Sequence, residues 1–214
     1  MRIIIASDMH IGFEYANTYK INKFFNIVED DAPDYLILNG DILDLWRNTA
    51  SAIVKENGDL LRRINEIASV TKTVWIIGNH DFSVPKRYFP NVDFRNSINI
   101  GNIHVEHGHR YDMQQVRFGW AYGIISLLYP PIYYWLYRRP NKIIKEDFGS
   151  SWLPMHDEAA KCAQKHNVNI IVGHSHCPQI RVLDSGYYVA DSGDFIDSSS
   201  YIEINDRMPE LKRV

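Results

Sequence analysis

Short, continuous apolar runs that each end in a cluster of Asp, Asn and His are the feature that most restricts how this chain can fold. Arg2 to Asp8 (RIIIASD), Asp34 to Asp41 (DYLILNGD) and Thr73 to His80 (TVWIIGNH) are apolar almost throughout and lack an alternating polar face. Such runs form strands buried on both faces, the habit of parallel sheets covered by helices. Between them, Ile21, Phe24, Phe25 and Val28 recur at helical spacing, and a charged stretch from about Ala52 to Ser69 repeats the arrangement. The alternation predicts an α/β fold.

Further strands are expected at Ile98 to Gly108, Asn169 to His174 (NIIVGH), Tyr187 to Ser192 and Tyr201 to Asn205, with a helix from Met155 to His166. This order suggests two sheets packed face to face with helices outside. At 214 residues the chain has room for one catalytic domain, 1–214, with a modest insertion. The insertion is expected over about 111–150. Within it, Phe118 to Tyr137 contains twenty residues without a charge, eight of them aromatic. That matches the roughly 20 residues of a membrane-spanning helix. Pro130 and Pro131 break its backbone hydrogen bonding and split it into pieces too short to span. Two readings stay open. The segment is a buried helical hairpin, or it is an amphiphilic lid that takes an acyl chain or touches a membrane interface, flanked by Arg110, Arg117, Arg138, Arg139, Lys142 and Lys145.

A formal net charge of −3 gives no general attraction for polyanions, so nucleic acid is not an expected partner. Cys162 and Cys177 form neither a disulfide framework nor a metal-spaced pair and are expected to stay reduced. The first apolar run, Ile3 to Ala6, is shorter than the ~7 to 15 residues of a secretory leader, and a cytoplasmic location is expected.

Five motifs stand at the ends of the expected strands: Asp8-Met9-His10, Gly40-Asp41-Ile42-Leu43-Asp44, Gly78-Asn79-His80-Asp81, His107-Gly108-His109 and Gly173-His174-Ser175-His176. They hold six of the nine histidines. In a wound α/β sheet the loops after the strands converge at one edge, so these residues can meet in one pocket. Imidazole nitrogens with carboxylate and amide oxygens suit borderline to hard divalent ions. The absence of thiolate ligands disfavours copper(I) or a structural zinc knot.

Each motif alone is commonplace, but all five in this order resemble the calcineurin-like metallophosphoesterase superfamily from Arg2 to Asn205, outside the aromatic insertion. The resemblance implies a layered α-β-β-α sandwich with a helical insertion, and hydrolysis of a phosphodiester or pyrophosphate bond. It implies two divalent ions, manganese first, with iron, zinc or cobalt as alternatives. Asp8, His10 and His176 would hold one ion, Asn79, His107 and His174 the other, and Asp41 both. Two divalent ions against two carboxylates leave a surplus of positive charge that attracts phosphate. A hydroxide bound by both ions would attack phosphorus in line. By the same likeness His80 is the catalytic acid rather than a ligand, oriented by Asp44, whose carboxylate raises an imidazole's pKa. His109 would contact a metal-bound oxygen or support a ligand, and Asp112 would orient a ligand or sit exposed in a turn. His104, His156 and His166 are read as structural.

Within the superfamily, Ser7-Asp8-Met9-His10, Gly40-Asp41 followed by Leu45-Trp46, Asn79-His80-Asp81-Phe82 and the run His107 to Asp112 look most like the branch of UDP-2,3-diacylglucosamine hydrolases. That branch cleaves a pyrophosphate in a nucleotide-linked lipid and carries a helical insertion at the same place. The likeness implies a nucleotide-diphospho-lipid substrate, contacts from Arg110, Arg117 and His109, and peripheral attachment to the inner membrane surface through 118–137. Cys177-Pro178 and His80 depart from the branch's usual arginines, which leaves small phosphodiesters or phosphomonoesters as alternative substrates. A DNA nuclease would need an extended basic surface that the composition does not offer. A noncatalytic scaffold on this fold would lack ligands that are all present here.

Overall fold

A computed structural model describes residues 1–112, 152–206 and 208–214. Among these, the strands form two mixed sheets. In the first, β1 (Arg2–Ala6), β2 (Tyr35–Asn39), β3 (Lys72–Ile76) and β4 (Asp93–Arg95) run parallel, and β10 (Ser200–Asn205) with β11 (Met208–Arg213) extends it antiparallel beyond β1, in the order β11-β10-β1-β2-β3-β4. In the second, β5 (Ser97–Ile100), β6 (Ile103–Glu106), β7 (Asn169–Val172), β8 (Gln179–Val182) and β9 (Tyr188–Asp191) take the order β5-β6-β7-β9-β8, with β6, β7 and β9 parallel.

The continuous apolar runs follow from burial on both faces. Successive strand residues point to opposite sides. Ile3, Ile5, Ile37, Val74 and Ile76 meet Ile98, Val105, Ile171 and Ala190 between the sheets. Their neighbours Ile4, Ala6, Leu36, Leu38 and Trp75 turn outward onto α1 (Thr18–Asp31) and α2 (Ala50–Val70), through Phe24, Phe25, Ile53 and Ile64. On the far side Ile170, Val172 and Val189 pack on Met155, Ala159 and Ala163 of α3 (Pro154–His166). The layers are therefore α-β-β-α, as the sequence led us to expect. Helix starts are fixed locally: the Asn17 side chain accepts from Lys20 N–H, and Thr49 from Ala52 N–H.

The expected helices and strands lie within a few residues of the observed ones. Beyond them the structure adds the edge strands β4, β8 and β11, and it divides the stretch expected over Ile98 to Gly108 into the antiparallel pair β5 and β6. Pro209 and the charges of Glu210, Lys212 and Arg213 hide β11 from an apolar-pattern reading, and both features are tolerated on a sheet edge. The insertion expected over about 111–150 lies outside the described residues apart from Tyr111 and Asp112, as do Arg117 and the stretch 118–137. Among the described residues no helix is long and apolar enough to cross a membrane. Both cysteines are free, Cys177 fully buried.

Ile37 lies wholly buried in the inter-sheet layer. Ile37→Ala should lower unfolding free energy by about 2–5 kcal/mol in urea titration, as expected for a cavity that the rigid sheets cannot close. A loss below about 1 kcal/mol would mean that the two sheets repack freely.

Candidate metal centre

The parallel strands of both sheets end at one edge, and the loops that follow them are tied together there. Asp8 N–H donates to Gly40 O (3.0 Å), His10 N–H to Asp41 O (2.9 Å) and Gly173 N–H to His107 O (2.9 Å). Across the sheets, His174 N–H donates to Asp8 Oδ2 (2.9 Å) and His107 Nδ1 to Asn39 O (2.8 Å). Asp8, His10, Asp41, His174 and His176 all adopt left-handed backbone conformations, φ between 47° and 69°. Each such residue costs roughly 1–2 kcal/mol, so the loops hold these side chains against local preference. Space is equally tight. A Cβ on Gly40, itself at φ +84°, would come within 2.4 Å of His107 Nδ1, and one on Gly78 within 2.2 Å of Asp41 Oδ1.

Ligand atoms converge in overlapping groups. Asp8, His10 and His176 form one, with Asp8 Oδ1 3.3 Å from His176 Nε2 and 3.8 Å from His10 Nε2. Asp41, His107 and His174 form another, with Asp41 Oδ2 3.2 Å from His107 Nε2 and Asn79 Oδ1 also 3.2 Å from that nitrogen. A third group, His10, Asp41 and His80, lies between them. Asp41 thus faces both sides.

These residues fit divalent ions. Asp8 Oδ1, His10 Nε2 and Asn79 Nδ2 are buried without hydrogen-bond partners, and two of these three are potential ligand atoms. His107 gives its Nδ1 to a carbonyl and His10 its Nδ1 to Asp44 Oδ2 (3.3 Å), so both present Nε2 to the centre. The electrostatics call for positive charge. Burial works against the charged forms, yet hydrogen bonds from His10 to Asp44 and Asp8 hold its pKa up at about 10. The charges of Asp41 and Asp8 likewise outweigh burial and raise His107 to about 10. Asp8 is held well below the usual carboxylate range against burial, chiefly by His176 and His107. A cation of higher charge can take the place of those protons.

A family model described as calcineurin-like phosphoesterase matches residues 1–178. The chain belongs to the calcineurin-like phosphoesterase family. This phosphoesterase is a metal-dependent phosphohydrolase, and its sandwich is the family's fold. It is 23% identical to a UDP-2,3-diacylglucosamine hydrolase of Shewanella baltica over 96% of this chain and 94% of that protein. It is 24% identical to one from Shewanella sp. over 99% and 97%. Solved structures of similar fold include a phosphoesterase from E. coli (TM-score 0.54, 15% identity, 100% of this chain and 93% of that one). A dimetal phosphatase from Danio rerio (TM-score 0.55, 11% identity, 99% and 95%) shares it too.

The structure of the phosphoesterase brings together all seven residues expected as metal ligands. His80 and Asp44 join them. Asp44 Oδ1 lies 3.2 Å from His80 Nδ1, and the Trp46 ring stacks on His80 at 4.4 Å and 21°. One expectation needs correcting. Burial outweighs Asp41 and Asp44, so the pKa of His80 is lowered rather than raised. His80 also lies in a converging ligand group, its Nε2 4.0 Å from Asp41 Oδ2. His109 lines the same edge with its Nδ1 unpartnered, and burial pushes its pKa down to about 4, which keeps it neutral. Arg110, expected at the substrate, is held by Glu106, with Nε 2.5 Å from Oε2, and lies over the Tyr111 ring. Asp112 Oδ2 reaches His174 Nε2 at 3.3 Å. His104 pairs with Asn99 and Glu106, and His166 ends α3.

Sequence reasoning missed Arg47, Asp194 and Asp191. Arg47 Nη1 donates to Asp44 Oδ2 (2.5 Å), so one carboxylate serves His10, His80 and Arg47. Asp194 caps its own turn and stands 3.8 Å from His176 Nδ1. The signal was available: Asp191 ends β9 and Ser192-Gly193-Asp194 follows it, at the same edge as the other motifs.

A histidine ligates only through a free lone pair, so if His10 and His107 hold manganese, its binding near pH 7 would expel their protons. Their folded pKa values lie above that pH, hence affinity should rise as pH rises. Proton release on adding manganese, followed with an indicator dye in weak buffer, measures this directly. Metal uptake without proton release would contradict the placement of these two imidazoles.

Proposed function

We propose that this phosphoesterase hydrolyses the pyrophosphate of a nucleotide-diphospho-lipid of the UDP-2,3-diacylglucosamine type, using two divalent ions, manganese first. The observation that carries the substrate is the likeness to UDP-2,3-diacylglucosamine hydrolases over nearly the full length of both chains. An acyl-bearing ligand also suits the charge-free stretch 118–137 with its eight aromatic residues. Contact of that stretch with the inner membrane surface belongs to the same reading.

Asp8, His10 and His176 would hold one ion, Asn79, His107 and His174 the other, with Asp41 common to both. When bound, the ions supply charge neutralisation for phosphoryl oxygens and acidify a water molecule so that it attacks near neutral pH. The remaining roles fall to the chain itself. Asp44 accepts from His80 Nδ1, and Trp46 holds the ring flat, which leaves Nε2 directed toward the centre. An imidazolium there would pass its Nε2 proton to a departing phosphate oxygen, although burial, which lowers the His80 pKa, works against that charged form. Arg47 anchors Asp44 and so the orientation of His80.

Incubating manganese-loaded protein with UDP-2,3-diacylglucosamine and, separately, with bis-p-nitrophenyl phosphate distinguishes the lipid substrate from a small diester. Fast UMP release with poor turnover of the diester is expected. Turnover of the diester alone would remove the lipid nucleotide while leaving the chemistry. His80→Ala should retain both ions and lose about 10²- to 10⁴-fold in turnover. Unimpaired turnover in that variant would take the acid role from His80.

A further inference from the structure

Behind the loop His174-Ser175-His176 lies a buried polar chain that the proposed chemistry does not use. His156, on the first turn of α3, and Asp191, at the end of β9, are both fully buried. His156 Nε2 stands 2.9 Å from Asp191 Oδ2, and Ser175 Oγ donates to the same oxygen at 2.7 Å. The hydrogen-bond partners fix the tautomer. Leu153 N–H donates to His156 Nδ1 (3.0 Å), so that nitrogen is unprotonated and the proton sits on Nε2, directed at Asp191. Asp191 Oδ1 accepts from Gly193 N–H (2.8 Å), which completes its coordination.

This arrangement excludes one reading. Ser, His and Asp lie close, with Ser175 Oγ 3.3 Å from His156 Nε2, but the imidazole has its proton on the nitrogen that a hydrolytic base would need free. Ser175 is therefore no nucleophile. Its hydroxyl instead serves the loop: Oγ accepts from Cys177 N–H (3.0 Å) while Ser175 N–H donates to Gly173 O (2.8 Å). The residues on either side, His174 at φ 69° and His176 at φ 58°, are in the left-handed region and face different halves of the metal centre. A loop strained at two neighbouring positions keeps its shape only if something fixes the residue between them.

We propose that His156 is a positioning residue for the metal centre, acting through Asp191 and Ser175 to hold His174 and His176 in their ligating conformations. The chain runs on outward. Trp152 lies against His156 with ring centroids 5.1 Å apart, and Arg181 lies over Trp152 at 4.4 Å. The ligand loop is thereby referenced to the start of α3 as well as to its own strand. A network that served only as core filling would change stability and leave metal affinity alone. One that positions ligands changes affinity in protein that is still folded.

The inference rests on the two-ion reading, and the test separates the two. Manganese affinity and the Mn(II) electron paramagnetic resonance spectrum would be measured for wild type, Ser175→Ala, His156→Phe and His156→Gln, each confirmed as folded by circular dichroism. Ser175→Ala removes one hydroxyl from a half-buried loop and guards against misfolding of the larger change. Ser175→Ala and His156→Phe are expected to weaken manganese binding about 10- to 100-fold and to alter the spectrum. His156→Gln, which can still donate to Asp191, should recover most of the affinity. Wild-type affinity in folded Ser175→Ala, or no recovery in His156→Gln relative to His156→Phe, would overturn the inference alone. Wild-type protein that binds no manganese would overturn it together with the metal centre.

Discussion

Six aspartates, Asp8, Asp41, Asp44, Asp81, Asp191 and Asp194, are buried at the edge where the parallel strands of both sheets end, and their charges must be balanced without bulk water. How each is balanced divides structural from metal-facing groups. Asp81 accepts from Trp75 Nε1, Gly78 N–H and Ile42 N–H, and burial together with the charge of Asp41 pushes its carboxyl up to about 6. Asp194 takes the amides of its own turn, Asp191 takes His156, Ser175 and Gly193, and Asp44 takes Arg47 with His10 and His80. Asp8 and Asp41 differ. One oxygen of each is held by a backbone amide, and the other points into a ring of histidine nitrogens.

That difference explains why the surroundings are built as they are. Asp8 and Asp41 can present one oxygen each to the centre only because the loops after β1 and β2 turn through left-handed residues, and those turns persist because amides and carbonyls of neighbouring loops close around them. Histidines contribute ligand atoms without adding negative charge. On the proposed reading the seven ligands would bring only two carboxylates, so two divalent ions would keep a net positive charge for a phosphoryl group.

Much of this was legible in the sequence, for a definite reason. β1, β2 and β3 are buried on both faces, so their apolar runs are continuous, and any Asp or His that interrupts the end of such a run stands out. The ligand motifs were read on that signal. β8 and β11 were not, because edge strands tolerate charge and proline. Arg110 illustrates another limit. Its place on Glu106 depends on a residue that, in sequence, looks like the polar end of a strand. His156 was read as structural from its position outside every motif. Its link to Ser175 exists only because α3 packs on β7 and β9 and brings its first turn beneath the ligand loop.

On this reading the balanced and unbalanced carboxylates define two adjoining cation sites with Asp41 between them. Anomalous X-ray scattering from crystals grown with manganese locates such ions without reference to activity. Two peaks per chain are expected, one enclosed by Asp8, His10 and His176 and the other by Asn79, His107 and His174, with Asp41 touching both. A single peak, or peaks that leave Asp41 uncoordinated, would contradict that reading.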